Sequence, residues 1–392
     1  MKHTISQRIA AENSDDDRAS QTLYGTNSLQ HVTPRVTSAE SVIGGLFGLA
    51  EAATSAETSN QLVNDLAKNG NSDVVYTATG RGGILLVCRS VSPRSVWVPS
   101  YLCPTMIGRV SREFDVRFYC VDMQLKADLS FTDEVQADDL VLVLDYFGRT
   151  AETDLIDAIR TTGATILEDA TQSWMSDDVG NRADFVVISL IKSIGVPDGG
   201  LVIGHRTGVL PPTESLPPAP EVWWNMIHDA CQLRREYDEG FATAELRSVW
   251  YAQYLRAASS TPDAPVAMST ITRQLIRESL DIDDIAQRRI ANYRTLYSEV
   301  GHLALLGSLR NGTVPIGFVC KFKSTAIRDR KRQSLIDALI FPPLHWSFDN
   351  VVPNEFTDSH DLAGRVLTLP CDQRYDRSDM MRIVNVLNET AN

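Results

Sequence analysis

Short, continuous apolar runs recur along the first half of this chain at 74–78, 96–99, 116–121, 140–145, 164–168, 184–189 and 200–204. Between several of them lie stretches with helical spacing, at 82–89, 104–111 and 153–160. Runs that are apolar at every position predict strands buried on both faces, and the intervening helices supply the cover. The pattern therefore predicts an α/β fold: a large domain with a mostly parallel sheet sandwiched by helices. In such sheets ligands sit beyond the carboxyl ends of the strands.

The rhythm changes after Gly204. A Pro-rich loop over 210–220 leads into a long helical section, roughly 221–300, which reads as a bridge between domains. The remainder mixes a short strand (314–320) with helices at 327–339 and 378–387 and suits a smaller C-terminal α+β domain. Ahead of the sheet, residues 1 to about 35 are polar and without sustained period, and read as an arm outside the core. One helix is predicted from the Thr37/Ser38 cap, with Glu40 just inside it. A second is predicted over 58–68, stopped by Asn69-Gly70. The division is then an arm at 1–35, a large domain at 36–250 and a small domain at 251–392.

Composition narrows the function. Hydrophobic residues make up 43% and charged residues 22% of 392 residues, a globular balance. A net charge of -13 offers nothing that would draw a polyanion, so general nucleic-acid binding is not expected. The six cysteines show no CxxC pair and no metal-ligand spacing, so neither zinc nor a disulfide framework is expected, and no metal is assigned. The N-terminus lacks the apolar core of a secretory signal, and no run approaches a membrane span, so the expected location is the cytoplasm.

Polar residues set at the ends of the apolar runs carry the chemistry. Asp169 closes the run 164–169, Gln172 follows three residues on, and Ser189 closes the run 184–189, with Lys192 just after it. Pyridoxal phosphate (PLP) chemistry needs a lysine to hold the cofactor and shuttle protons, and a carboxylate to keep the pyridine nitrogen protonated. Lys192 and Asp169 suit those roles, and Gln172 is placed to hydrogen-bond the ring's 3-hydroxyl oxygen. The segment Thr79-Gly80-Arg81-Gly82-Gly83 follows a strand and opens a helix, so Gly80, Arg81 and Gly82 can seat a phosphate, with Ser189 adding a hydroxyl. Tyr101 follows the next strand and could stack on the ring. Each residue has a plainer reading: a helix N-cap for Asp169, a solvated lysine, a tight packing turn, a partly buried tyrosine.

The order of these motifs resembles the DegT/DnrJ/EryC1/StrS aminotransferases, fold type I PLP enzymes that mostly aminate nucleotide-linked keto sugars. The resemblance spans about 74–204, with Arg289-Ile-Ala-Asn-Tyr293 and Leu369-Pro-Cys-Asp-Gln-Arg-Tyr375 still family-like. It implies that Glu168-Asp169-Ala-Thr-Gln172 binds the pyridine, that Lys192 is the Schiff-base lysine, that Asp198-Gly199-Gly200 is the turn after it, and that the protein is a homodimer. The chain departs from the family at Val187, where a phosphate-binding serine is usual, and at Asp145-Tyr146-Phe147-Gly148, where a histidine is usual. Ala267-Met268-Ser269 stands where the family's interface Asn-Tyr-Arg is expected.

The leading expectation is a PLP-dependent aminotransferase using a small-molecule amino donor and keto acceptor. Alternatives are elimination, racemisation or condensation on an amino acid, for which Arg374 could bind the substrate carboxylate where its plainer reading is an ordinary surface salt bridge, and a catalytically silent PLP-fold regulator. His345 is a candidate substrate contact or a packed loop residue. Lys321, Lys323 and the basic run 328–332 read as a solvated helix face or a diphosphate contact, and Trp223-Trp224 as a core or interface pair.

Overall fold

A computed structural model describes residues 41–51, 72–241, 243–278, 280–348 and 351–389. The predicted arm and the two helices before residue 72 lie outside the described residues, apart from 41–51. Ten α-helices are named here: α1 (Gly80–Val91), α2 (Pro104–Val110), α3 (Thr153–Thr162), α4 (Glu221–Glu236), α5 (Ala244–Ser259), α6 (Thr270–Glu278), α7 (Ile282–Val300), α8 (Thr325–Asp337), α9 (Thr357–Arg365) and α10 (Arg377–Glu389).

Two strands come first, β1 (Ile43–Gly44) and β2 (Asp73–Thr77). The sheet continues with β3 (Ser95–Pro99), β4 (Asp115–Tyr119), β5 (Leu140–Leu144), β6 (Thr165–Asp169), β7 (Phe185–Ser189) and β8 (Gly200–Gly204). Seven of these strands form one sheet in the order β2-β8-β7-β6-β5-β3-β4. Only β8 runs against its neighbours, pairing antiparallel with both β2 and β7. The chain is thus α/β with a mainly parallel sheet, as its apolar runs predict.

The central strands β3, β5, β6, β7 and β8 are buried at every residue. α1 lies close over this floor because its glycines permit it: a Cβ at Gly83 would come within 2.7 Å of the Val202 side chain. One edge of the sheet collects the carboxyl ends of β2, β3, β5, β6 and β7 together with the start of the reversed β8. All the residues singled out in the first half of the chain lie at that edge.

The helical section 221–300 is real but broken. α4 ends in a five-residue turn (Tyr237–Phe241) where Gly240 adopts φ +97°, and α5 follows as its antiparallel partner. An extended segment at 264–268 then lies beside β2, with Ala78 donating to Val266 and Met268 donating to Tyr76.

A second apolar cluster joins Tyr293, Leu296 and Val300 of α7 to Phe318 and Cys320 of β9 (Phe318–Lys321), Leu335 of α8 and Ile383 of α10. Here β11 (Val366–Leu369) pairs antiparallel with β9. The strand predicted over 314–320 starts later, at Phe318, because the preceding backbone is engaged elsewhere: Val314 donates to Ser176, and the carbonyls of Pro315 and Ile316 bind Arg289. The two-residue β1 joins this half, pairing with β10 (Ile340–Phe341).

The basic run 328–332 is a solvated face only in part: Arg330 is exposed, while Arg328 and Lys331 are buried. Arg328 is 7% exposed and donates to the carbonyls of Ala363 and Val366, while Lys331 donates to Leu387. Their charges fasten helix ends. Trp223 is a core residue, its indole donating to Ala257. No helix among the described residues is long and apolar enough to cross a membrane.

Candidate functional site

Asp169 is the last residue of β6, so strand alternation turns it to the face opposite Glu168. It is 9% exposed, and its Oδ1 accepts the Thr171 backbone N–H at 3.0 Å. Burial raises its pKa; the Thr171 hydrogen bonds and the charge of Lys192 work the other way. A buried carboxyl with a cation nearby but none bonded to it is suited to receive a protonated ring nitrogen.

Gln172 lies in the turn after β6, 7% exposed. Its side-chain oxygen accepts the Phe147 N–H at 2.8 Å, which leaves its NH2 free of protein acceptors among the described residues. Lys192 ends a short 3-10 turn, Leu190–Lys192, directly after β7. Its ammonium is exposed and has neither hydrogen bond nor ion pair among the described residues. Lys192 sits near enough to Asp169 and to His345 to act on both charges.

The first turn of α1 lies against the end of β7, just ahead of this lysine in sequence. Thr79 is its N-cap, and the Thr79 hydroxyl accepts the Gly82 N–H at 3.0 Å, while the Gly83 N–H binds the Thr79 carbonyl. Gly82 is therefore committed to the cap, and the amides of Gly80 and Arg81 are the ones without an intrahelical acceptor. Ser189 packs against this turn: a Cβ on Gly80 would come within 2.9 Å of the Ser189 Cβ. The Ser189 hydroxyl has no partner among the described residues, so two amides and a hydroxyl converge at a helix N-terminus.

Asp198 supports the cradle. It is 1% exposed and accepts from the Ser269 N–H and hydroxyl at 2.8 and 2.7 Å, and from the Thr272 hydroxyl. Burial raises its pKa against those bonds. Gly199 adopts φ +143°, and its carbonyl accepts the Leu190 N–H. A Cβ on Gly200 would lie 2.4 Å from the Thr79 backbone, so only glycine lets β8 start under this turn.

Three predicted contacts are corrected. Tyr101 is fully buried, its hydroxyl donating to the His345 carbonyl and its ring enclosed by Tyr146, Trp346 and Phe348, so it offers no face to a ligand. Gly82 spends its amide on the helix cap. Arg374 does not reach the site: it binds Asp372 at 2.8 and 2.9 Å, donates to the carbonyls of Gly45 and Leu46, and lies 3.8 Å over the Phe47 ring. A carboxylate already fills its fork, which removes the support for an amino-acid carboxylate at that position.

His345 lies near Lys192. Its Nδ1 pairs with the Thr368 hydroxyl at 2.8 Å and its ring meets Phe147 edge-on. Burial, then the charge of Lys192, pushes its pKa down to about 3. The imidazole is neutral at physiological pH.

Sequence reasoning missed Asp145, where the family's histidine is usual. Asp145 is fully buried, accepts the Ser173 hydroxyl at 2.5 Å and the Ala151 N–H at 2.9 Å, and faces Glu168. Burial, then the Glu168 charge, holds it well above the carboxylate range. It ties the loop carrying Phe147 to the turn carrying Gln172. The position at the end of β5 was visible in the sequence; its partner across the strand was not.

No family model matches the chain, and no curated protein matches it. Solved structures do. A DegT DnrJ EryC1 StrS aminotransferase from Brucella abortus is similar at 15% identity and TM-score 0.55, over 85% of this chain and 91% of that one. The sugar aminotransferase CalS13 from Micromonospora echinospora is similar at 13% and 0.55, over 88% and 100%. The ntda protein from Bacillus subtilis, solved with bound cofactor PMP, is similar at 12% and 0.58, over 85% and 78%. At these identities the likeness is one of fold.

Proposed function

We propose, for a chain with the fold of the DegT/DnrJ/EryC1/StrS aminotransferases, that it is a PLP-dependent aminotransferase moving an amino group from an amino-acid donor to a keto acceptor. The observation that carries this reading is the convergence of Asp169, Gln172, Ser189 and Lys192 at one sheet edge, each with a polar atom that has no partner among the described residues. Asp169, Gln172 and Ser189 are buried, where a polar group favours a hydrogen-bonding partner, and Lys192 is exposed beside them.

The donor set fits PLP. Asp169 suits the ring nitrogen, because a buried carboxyl is stabilised as the anion by a cation at hydrogen-bond distance. The Gln172 NH2 suits the 3-hydroxyl oxygen. Ser189 and the amides of Gly80 and Arg81 suit the phosphate, where the helix dipole favours negative charge. When bound, PLP supplies the electron sink that makes a substrate proton next to nitrogen removable.

The chain's residues do the rest. Lys192 would hold the cofactor through Nζ and, once a substrate amine has displaced it, its freed amine would move the proton as base and then as acid. Asp169 and Gln172 would hold the ring. The neutral His345 adds a ring beside Lys192 without a competing cation, and Phe147 with Trp346 screens that side from water. We read the acceptor as a nucleotide-linked keto sugar and the protein as a cytoplasmic homodimer, on the resemblance in motif order. The second apolar cluster serves as the smaller lobe, with α7 shared between the two halves in place of a boundary near residue 250.

The test is direct. Purified protein is titrated with PLP and followed by absorbance, then reduced with borohydride and digested. PLP should be found on the Lys192 peptide, and amino donors should discharge the absorbance while keto acceptors restore it. Protein that stays colourless with excess PLP would end this reading and leave a regulatory PLP-fold protein in its place.

A further inference from the structure

We infer that Arg289 and Gln373 are positioning residues for Lys192, acting through the backbone carbonyl of Ser193. This rests on the reading of Lys192 as the cofactor lysine.

Ser193, the residue after Lys192, is fully buried and held at every polar atom. Its N–H donates to the Leu190 carbonyl at 2.9 Å, and its hydroxyl pairs with the Trp174 indole nitrogen at 3.1 Å. Its carbonyl accepts twice: from Arg289 Nη2 at 3.0 Å and from Gln373 Nε2 at 2.8 Å. Lys192 itself is exposed and free among the described residues. An exposed ammonium thus stands next to a backbone held at every polar atom.

Both donors come from the far half of the chain. Arg289 is in α7, and Gln373 follows β11 in the segment that also carries Arg374. The fit is made at a cost elsewhere. Arg289 is fully buried, yet its Nε has no hydrogen-bond partner among the described residues; its remaining reach goes to the carbonyls of Pro315 and Ile316 at 3.3 and 3.2 Å. The Gln373 Oε1 is likewise buried and without a partner among the described residues. Packing alone would be served better by apolar side chains, since a buried polar atom left unpaired costs ~1–3 kcal/mol. What the two residues share is Ser193, and hence the seat of Lys192. Any shift of α7 or of the 369–375 segment is passed to the lysine through that carbonyl.

The experiment compares Gln373→Met, Arg289→Lys and Arg289→Met with the parent chain. Apo melting temperature and circular dichroism establish folding. Affinity for PLP, the absorbance maximum of bound PLP, and the acetylation rate of Lys192 by acetic anhydride in the apo protein report the lysine's placement. Gln373→Met should keep its fold while binding PLP about tenfold more weakly, with a displaced maximum. Arg289→Lys should retain part of the affinity that Arg289→Met loses. Should Arg289→Met fail to fold, Gln373→Met and Arg289→Lys decide the matter. Parent-like PLP affinity, spectrum and acetylation rate in both would overturn the inference. If the parent chain itself takes no PLP, the functional reading falls instead. The acetylation rates then decide this inference alone: altered in the variants, it stands; unaltered, it fails.

Discussion

The side-chain oxygen of Gln172 accepts the backbone N–H of Phe147 at 2.8 Å, and this bond orients the whole amide. With the oxygen occupied, only the NH2 is left to meet a ligand. The two ends can be separated. Gln172→Glu keeps an acceptor for Phe147 but replaces the donor, so PLP affinity should drop while urea stability changes little. Gln172→Leu also strands a buried N–H and should lose ~1–3 kcal/mol in urea unfolding. Equal stability of the two variants would contradict this division of labour.

Replacing the lysine tests the centre of the proposal. Lys192→Ala removes an exposed side chain with no partner among the described residues, so its melting temperature should match the parent's. Borohydride reduction with PLP should leave no covalent adduct. An adduct retained in that variant would show that another amine holds the cofactor.

Asp145 predicts a pH dependence of stability. Its folded pKa lies well above the ordinary value of 3.8, from burial first and the Glu168 charge second. The unfolded chain therefore releases that proton first, and stability is fully present below the unfolded pKa and falls as pH rises through the folded one. Asp145→Asn should flatten this loss in denaturant melts collected from acid to neutral pH. A parent and variant with parallel slopes would refute it.

His345 makes the opposite statement. Burial and Lys192 push its pKa down to about 3, so its ring should show no titration by NMR between about pH 5 and 8. The sign follows: a depressed pKa contributes stability above the unfolded value near 6.5 that is lost as pH falls toward 3. A midpoint near neutrality would place His345 in solvent, away from the lysine.

Gly200→Ala tests the close approach under the phosphate cradle. The added methyl would sit 2.4 Å from the Thr79 backbone, where no side chain can yield. We expect a loss of ~1–3 kcal/mol together with weaker binding of inorganic phosphate and PLP. Unchanged affinity and stability would mean the cap is not held by this contact.

The sheet and its chemistry were legible because they are local. The runs ending at Asp169 and Ser189 are apolar at every position, and that pattern has one stable use, a strand covered on both faces. Asp169, Gln172 and Lys192 follow from strand ends within a few residues. The salt bridge read for Arg374 is present, to Asp372 two residues away, but its other partners Gly45, Leu46 and Phe47 lie more than 320 residues away in sequence. A guanidinium's fork looks the same whether it will meet a substrate or a loop. Arg328 and Lys331 misled for the same reason: helix ends that need their donors come from α9 and α10, invisible in a window around residue 330. β1 and β10 have two residues each, too short for any periodicity. Tyr101 was correctly put at a strand end, but its burial depends on Trp346 and Phe348.

The separation between Ser193 and its donors sets an order of assembly. Strands β7 and β8 form an antiparallel pair across the lysine-bearing turn, so that turn closes by short-range contacts as soon as Gly204 is available. Arg289 follows Ser193 by 96 residues and Gln373 follows it by 180. A chain emerging from its amino end thus shapes the turn early and locks it only once Gln373 has been made. Products that stop short of Gln373 would carry the lysine without its lock, and the competence to seat a cofactor firmly waits on a segment far downstream of the turn.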